Sequence, residues 1–178
     1  MKIYAGIGSR KTPPYVLNIM TQIAVVLAKK GYVCHTGACI GADQAFAEGA
    51  LQGGGQVHLL LPWSGYESNW VQTLNGLVTT QVYNPATDVA ATESVKNYHP
   101  AFNHLSRPVV ALHARNYLII NQAEFCVCWT PDGLSSGGTG QAIRIAQDAG
   151  IPVYNLGLAG TMAAFVARLM SLNPLYQR

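Results

Sequence analysis

Six short apolar runs, separated by longer stretches with helical spacing, constrain this chain more than anything else in it. The runs lie near 2–6, 32–36, 56–61, 77–83, 124–129 and 151–156 and are rich in Val, Ile, Tyr and Leu, the composition of strands. Helical patterns occupy 15–30, 42–52, 88–105, 109–122, 139–149 and 159–171. In the first, Val16, Ile19, Met20, Ile23, Val26 and Leu27 recur at offsets of 3, 4 and 7, the stripe of a helix laid on a sheet. Gly31 stands where a helix favours glycine just past its end. Glu124–Trp129 is almost continuously apolar, as expected of a parallel strand covered on both faces. The alternation predicts right-handed βαβ crossovers. That is an α/β fold with a doubly wound, mostly parallel sheet and helices on both faces.

At 178 residues one domain, 1–178, can bury about 70% of its unfolded surface and needs no disulfide or metal to hold it. Hydrophobic residues make up 49% and charged residues 11%, against roughly 25% charged in ordinary domains. Disorder and coiled coil are excluded. Lys+Arg 11 against Asp+Glu 8 leaves +3, too little by itself to mark a protein that coats nucleic acid or binds a membrane surface. A surface so poor in charge predicts cover by another subunit, a homo-oligomer. No apolar run approaches the 18 or so residues of a membrane span, and no signal peptide is evident before Lys2-Ile3-Tyr4. The cysteines, Cys34, Cys39, Cys126 and Cys128, form neither a CxxC pair nor a zinc-ligand pattern. Cys126 and Cys128 share one face of a strand as small buried groups. The expectation is a cytoplasmic protein with no metal and no cofactor.

In an open parallel sheet, ligands bind beyond the C-terminal ends of the strands, near helix N-termini. Four segments fall at or near such positions. Gly6-Ile7-Gly8-Ser9-Arg10 follows the first strand, and Arg10 suits a phosphate. Lys11 replaces the third glycine of a dinucleotide fingerprint, so a plain tight turn explains the segment equally well. Thr36-Gly37-Ala38-Cys39-Ile40-Gly41-Ala42-Asp43 follows the second strand. Asp43 there either meets a ligand or favours the helix dipole from the first turn. Ser135-Ser136-Gly137-Gly138-Thr139-Gly140-Gln141 opens a helix whose free N–H groups make an anion site. Gly133 and Gly138 have P-loop spacing, but Thr139 stands where a lysine is required. Arg115-Asn116 lies in an apolar helical pattern, where an arginine is ordinarily an exposed face residue; the adjacent Asn116 and the helix's approach to the following strand support a functional placement equally well. His35 and His113 are either general bases or structural histidines. The stretch 62–107, with Trp63, Tyr66, Trp70, His99 and His104, reads as an elaboration of the sheet edge or a lid.

Together, Gly8-Ser9-Arg10, Thr36–Ala45, Arg115-Asn116 and Ser136–Gly140 resemble the DNA-processing protein A (Smf) family. That family carries a GSR turn, an SGLARGID-like loop, an RN pair and an SGT-containing loop before a helix. Order and spacing match from residue 3 to about 157. The resemblance implies the Rossmann-like fold that this family shares with the Lonely-guy phosphoribohydrolases, whose loops form a nucleotide or phosphate pocket. Two departures stand out. Cys39-Ile40 replaces the basic residues common in the second loop of the DNA-processing proteins. Ile143 or Arg144 stands where the phosphoribohydrolases place a catalytic glutamate. The expected function is therefore a stand-alone binding protein for a nucleotide or nucleotide-derived ligand. Its binding residues would be Gly8, Ser9, Arg10, Thr36, Gly37, Ala38, Gly41, Asp43, Arg115, Asn116, Ser136, Gly137, Gly138, Thr139 and Gly140. The alternatives are a nucleotide N-glycosidic hydrolase, with Arg115 on phosphate and Asp43 or Glu48 as carboxylate (Asp132 being the other acid placed nearby), and single-stranded DNA binding.

Overall fold

Strands β1 (Lys2–Gly6), β2 (Tyr32–Thr36), β3 (Val57–Leu61), β4 (Thr79–Val82), β5 (Phe125–Cys128) and β6 (Val153–Asn155) run parallel in the order β4-β3-β2-β1-β5-β6. The structure is a computed structural model that describes residues 1–74, 76–135 and 137–171. Helices α1 (Pro14–Lys29), α2 (Ala42–Gln52), α3 (Ser68–Thr73), α4 (Val89–Tyr98), α5 (Arg107–Ile120), α6 (Gly137–Asp148) and α7 (Thr161–Ser171) connect and flank the strands. This is the doubly wound, Rossmann-like α/β sheet. From β1 the chain winds outward to β4, then returns across the sheet to β5. The switch therefore lies between β1 and β5, the place where open sheets of this kind bind ligands beyond the strands' C-terminal ends.

Alternation along the strands sorts the core into two layers. Tyr4, Phe125 and Val127 face α1, α2 and the Phe165 ring of α7, while Ile3, Ala5, Cys126 and Cys128 face α5 and α6. Phe125 sits at the centre of the first layer, stacked on Tyr4 at 6.1 Å and edge-on to Tyr32 at 5.3 Å. All four residues of β5 are buried, in keeping with its unbroken apolar run. Helix α1 begins at a Pro-Pro pair that sets its first turn and ends before Gly31 at φ +79. Its stripe is narrower than the spacing predicts: Val26 is exposed.

The stretch 62–107 is a sheet-edge elaboration. Helix α3 and β4 extend the sheet, and α4 packs on α5 through Tyr83, Val95 and Ala114. The helix expected over 88–105 ends at Tyr98, because Pro100 forbids a continuing helix. A single 3-10 turn follows at Phe102–His104. All four residues of the edge strand β4 are exposed. Among the described residues, no helix is long and apolar enough to cross a membrane.

Candidate ligand-binding site

The loops after β1, β2 and β5 meet at the switch. Gly8 packs so closely on α2 that a Cβ there would come 2.5 Å from that of Ala42. Ser9 turns the chain: its hydroxyl accepts the Lys11 N–H at 3.1 Å, and its carbonyl accepts the Thr12 hydroxyl at 2.5 Å. The Ser9 N–H donates to the Trp129 carbonyl at 3.2 Å, which ties this loop to the end of β5. Arg10 is exposed beside it.

In the second loop the Thr36 hydroxyl donates to the Gly6 carbonyl at 2.7 Å and is fully buried. Ala38 adopts φ +67, a left-handed conformation that a residue with a Cβ holds only under constraint. The constraint is visible. Gln44 donates to the Ala38 carbonyl at 3.3 Å, and the Cys39 N–H donates to the Asp43 carboxylate at 3.2 Å. Gly41, at φ +97, turns the chain into α2.

Asp43 is only 4% exposed and Arg115 only 6%. The Arg115 Nη1 donates to the Gly37 carbonyl at 2.6 Å and lies 3.4 Å from the Asp43 Oδ2. A side chain at Gly37 would fall on this guanidinium. Burial pushes the Asp43 carboxyl up, while the Arg115 guanidinium and the N–H groups of Cys39 and Gly8 oppose the shift. The Arg115 Nε is buried with no partner. An arginine in so apolar a pattern is ordinarily exposed. Arg115 is buried instead, because its counter-charge comes from a distant loop.

Asn116, next to Arg115 and so about 100° around the helix, faces the third loop. Its amide donates to the Gly138 carbonyl at 3.1 Å and to the Gln141 Oε1 at 2.9 Å. Two consecutive side chains of α5 thus fix two loops at once. Gly137–Gly140 belongs to the first turn of α6, two residues earlier than the periodicity predicts. No acid stands in that turn, so the turn itself supplies no negative charge to its free N–H groups and dipole. Gly137 and Gly138 are exposed, Thr139 is half-buried, and Gly140 packs against the backbone of Ser135. Ser136 lies outside the described residues.

The expected binding residues therefore divide by accessibility. Thr36, Gly37, Ala38, Asp43, Arg115, Asn116 and Gly140 are buried and shape the loops, whereas Gly8, Ser9, Arg10, Gly41, Gly137, Gly138 and Thr139 border solvent. Glu48 is exposed on α2 and accepts the Trp70 indole N–H at 3.1 Å.

Three further side chains join the site. The Tyr66 ring lies under the Arg115 guanidinium at 5.9 Å, and its hydroxyl, raised by burial and by its hydrogen bond to Cys39, closes the second loop. Gln141 is fully buried, with its Nε2 unpartnered. His113 bonds the Gln141 Oε1 at 2.8 Å, stacks edge-on against His99 at 4.6 Å, and has its pKa lowered, chiefly by burial. The sequence marks Gln141 by its place directly after the glycines and His113 as a histidine in the α5 pattern, whereas nothing in it places Tyr66 at the second loop.

No family model and no curated protein matches the sequence. Among solved structures, DNA processing protein A from Streptococcus pneumoniae matches with a TM-score of 0.61 at 16% identity, over 94% of this chain and 56% of that one. The chain thus spans little more than half of that protein. DNA processing protein A from Helicobacter pylori, described for its single-stranded DNA binding mode, gives 0.59 at 21% identity, over 94% and 72%. The Moco carrier protein of Chlamydomonas rheinhardtii gives 0.55 at 18% identity, over 96% and 86%. What this chain shares with all three is the fold, a Rossmann-like parallel sheet.

Proposed function

We propose that the chain is a binding module for a nucleotide or nucleotide-derived ligand, seated where the three loops meet. The observation that carries this reading is the junction built by Arg115 and Asn116. It holds two glycine-rich loops in place, while Gly137 and Gly138 in the first turn of α6 are exposed, as is Arg10 after β1. A phosphate on the N–H groups of Gly137 and Gly138 would satisfy donors that the helix itself cannot. Arg10 would pair with its charge. The small-molecule cargo of the carrier-protein neighbour fits a binding role.

The hydrolase reading is weaker. Asp43 is committed to Arg115 and Cys39, Glu48 to Trp70, and Arg144 donates to the carbonyls of Ser135 and Tyr98 at 2.6 and 2.9 Å. Single-stranded DNA is the second ligand to test, because a structural neighbour is described as binding it. A homo-oligomer joined through α7 accords with Met162, Val166 and Met170, exposed four residues apart. Four free cysteines, three of them buried, fit a reducing, cytoplasmic home.

The test is titration of nucleoside mono- and diphosphates into the parent and Gly138→Val. A Cβ at position 138 meets nothing closer than 3.9 Å, so the variant folds while its methyls cover the helix terminus. Loss of binding in the variant supports the reading, and unchanged affinity overturns it. Base release from nucleoside monophosphates would promote the hydrolase. Strand binding that falls steeply with salt, without mononucleotide binding, would promote DNA.

A further inference from the structure

A cavity of about 490 Å³ lies on the α5 face of the sheet, toward the N-terminal ends of the strands and away from the three loops. Its floor is a row of directly paired residues, His35 on β2, His58 on β3 and Thr79 on β4. Leu118 of α5 and Asn121 just past its end form one wall, and Gln81 of the exposed edge strand borders the other side. No Asp, Glu, Lys or Arg side chain lines it.

The tautomers decide what the histidines present. In the tautomer that lets the Thr79 hydroxyl donate to the Val57 carbonyl at 3.3 Å, its oxygen accepts the His58 Nδ1–H at 2.7 Å. That leaves the His58 Nε2 as a bare acceptor. His35 is 5% exposed, and its Nδ1 is buried without a partner. An orphaned buried N–H is costlier than an orphaned lone pair, which biases the proton to Nε2 by a factor of roughly ten. The ring then offers an N–H donor beside the acceptor of His58, with the two ring centres 5.1 Å apart. A metal ion shared by both rings would need both Nε2 atoms bare and would bury the His35 Nδ1–H unpaired.

We infer that this cavity is a second binding site, for a small planar heteroaromatic molecule without formal charge that carries a hydrogen-bond donor and acceptor on one edge. The volume fits such a ligand, Leu60, Leu77 and Leu118 supply apolar surface for its faces among the amides of Gln81 and Asn121, and the two histidines read its edge. This site does not depend on the nucleotide reading.

Long-range proton–nitrogen NMR of the histidine rings tests it, with adenine, nicotinamide and zinc ion as separate probes. The free protein is expected to show His58 protonated on Nδ1 and His35 on Nε2. Adenine or nicotinamide should shift the His58 Nε2 resonance with a Kd of roughly 0.1–1 mM. His58→Phe should weaken that binding about tenfold, the loss of one hydrogen bond to a buried edge. Thr79→Val, which frees the tautomer, should weaken it severalfold. Absence of any shift with either heterocycle overturns the inference, as does unchanged affinity in both variants. Zinc binding at both Nε2 atoms would assign the site to a cation instead.

Discussion

Helix α5 borders two polar centres of opposite design. At the C-terminal ends of the strands, Arg115 and Asp43 bury a full ion pair. Beside the other end, His35 and His58 place two imidazoles against each other with no acid among the lining residues. The charged centre is bonded to the backbone of two loops and fixes their shape. The imidazole centre is half-satisfied and borders empty space. Buried charge here serves architecture, and the loosely satisfied groups are the ones left for chemistry.

The largest test of that contrast is Arg115→Met, which strands Asp43 without its counter-charge. It should lower the unfolding free energy by about 3–5 kcal/mol, measured in urea. Asp43→Asn should also destabilise. The double variant Asp43→Asn/Arg115→Met should lose clearly less than the sum, because it removes both charges. Additive losses would mean that the pair is not coupled.

Acid titration separates the two centres by sign. Burial, with His58 nearby, pushes the His35 pKa down from 6.5 to about 4. The unfolded chain therefore binds the proton more readily, and stability falls as pH drops through that window. The full shift is worth roughly 3 kcal/mol. Asp43 behaves oppositely. Its carboxyl is raised by burial, so its share of stability falls as pH rises above the ordinary carboxylate value. Thermal melts from pH 7 to 4 should show a shallower acid loss in His35→Gln than in the parent, and a steeper one in Asp43→Asn. A parallel course in all three would break the comparison.

Smaller effects belong to the solvent-facing residues. Arg10→Ala should weaken nucleotide binding about tenfold, near 1.4 kcal/mol, with stability unchanged, because one charge-assisted contact is lost. Val166→Glu should shift light scattering toward the monomer without altering nucleotide affinity. A parent that is already monomeric would remove the oligomer.

Local patterns made the sheet legible. A buried parallel strand must be apolar throughout, so β5 could be placed within a residue. Helix α2 is marked by the loop before it. What resisted reading was whatever depends on a distant partner. Arg115 has the sequence surroundings of a surface residue, but its counter-charge lies 72 positions earlier. Tyr66 sits in an irregular stretch and gains its place only when β3 delivers it to the second loop. Helix α6 starts two residues before its periodic pattern does, because glycines weaken the helical pattern at the turn where free N–H groups matter most.

The edge strand β4 has a practical consequence. Thr79-Thr80-Gln81-Val82 presents an open row of backbone donors and acceptors, exposed along its length, with no charge and no proline. Natural edges are ordinarily blunted by such residues, since a bare one invites further strands to add on. Concentrated samples of this chain should therefore be watched for slow fibrillar growth, with dye-binding assays following it. A lysine at Thr80 is the first substitution to try when preparing samples for crystallisation.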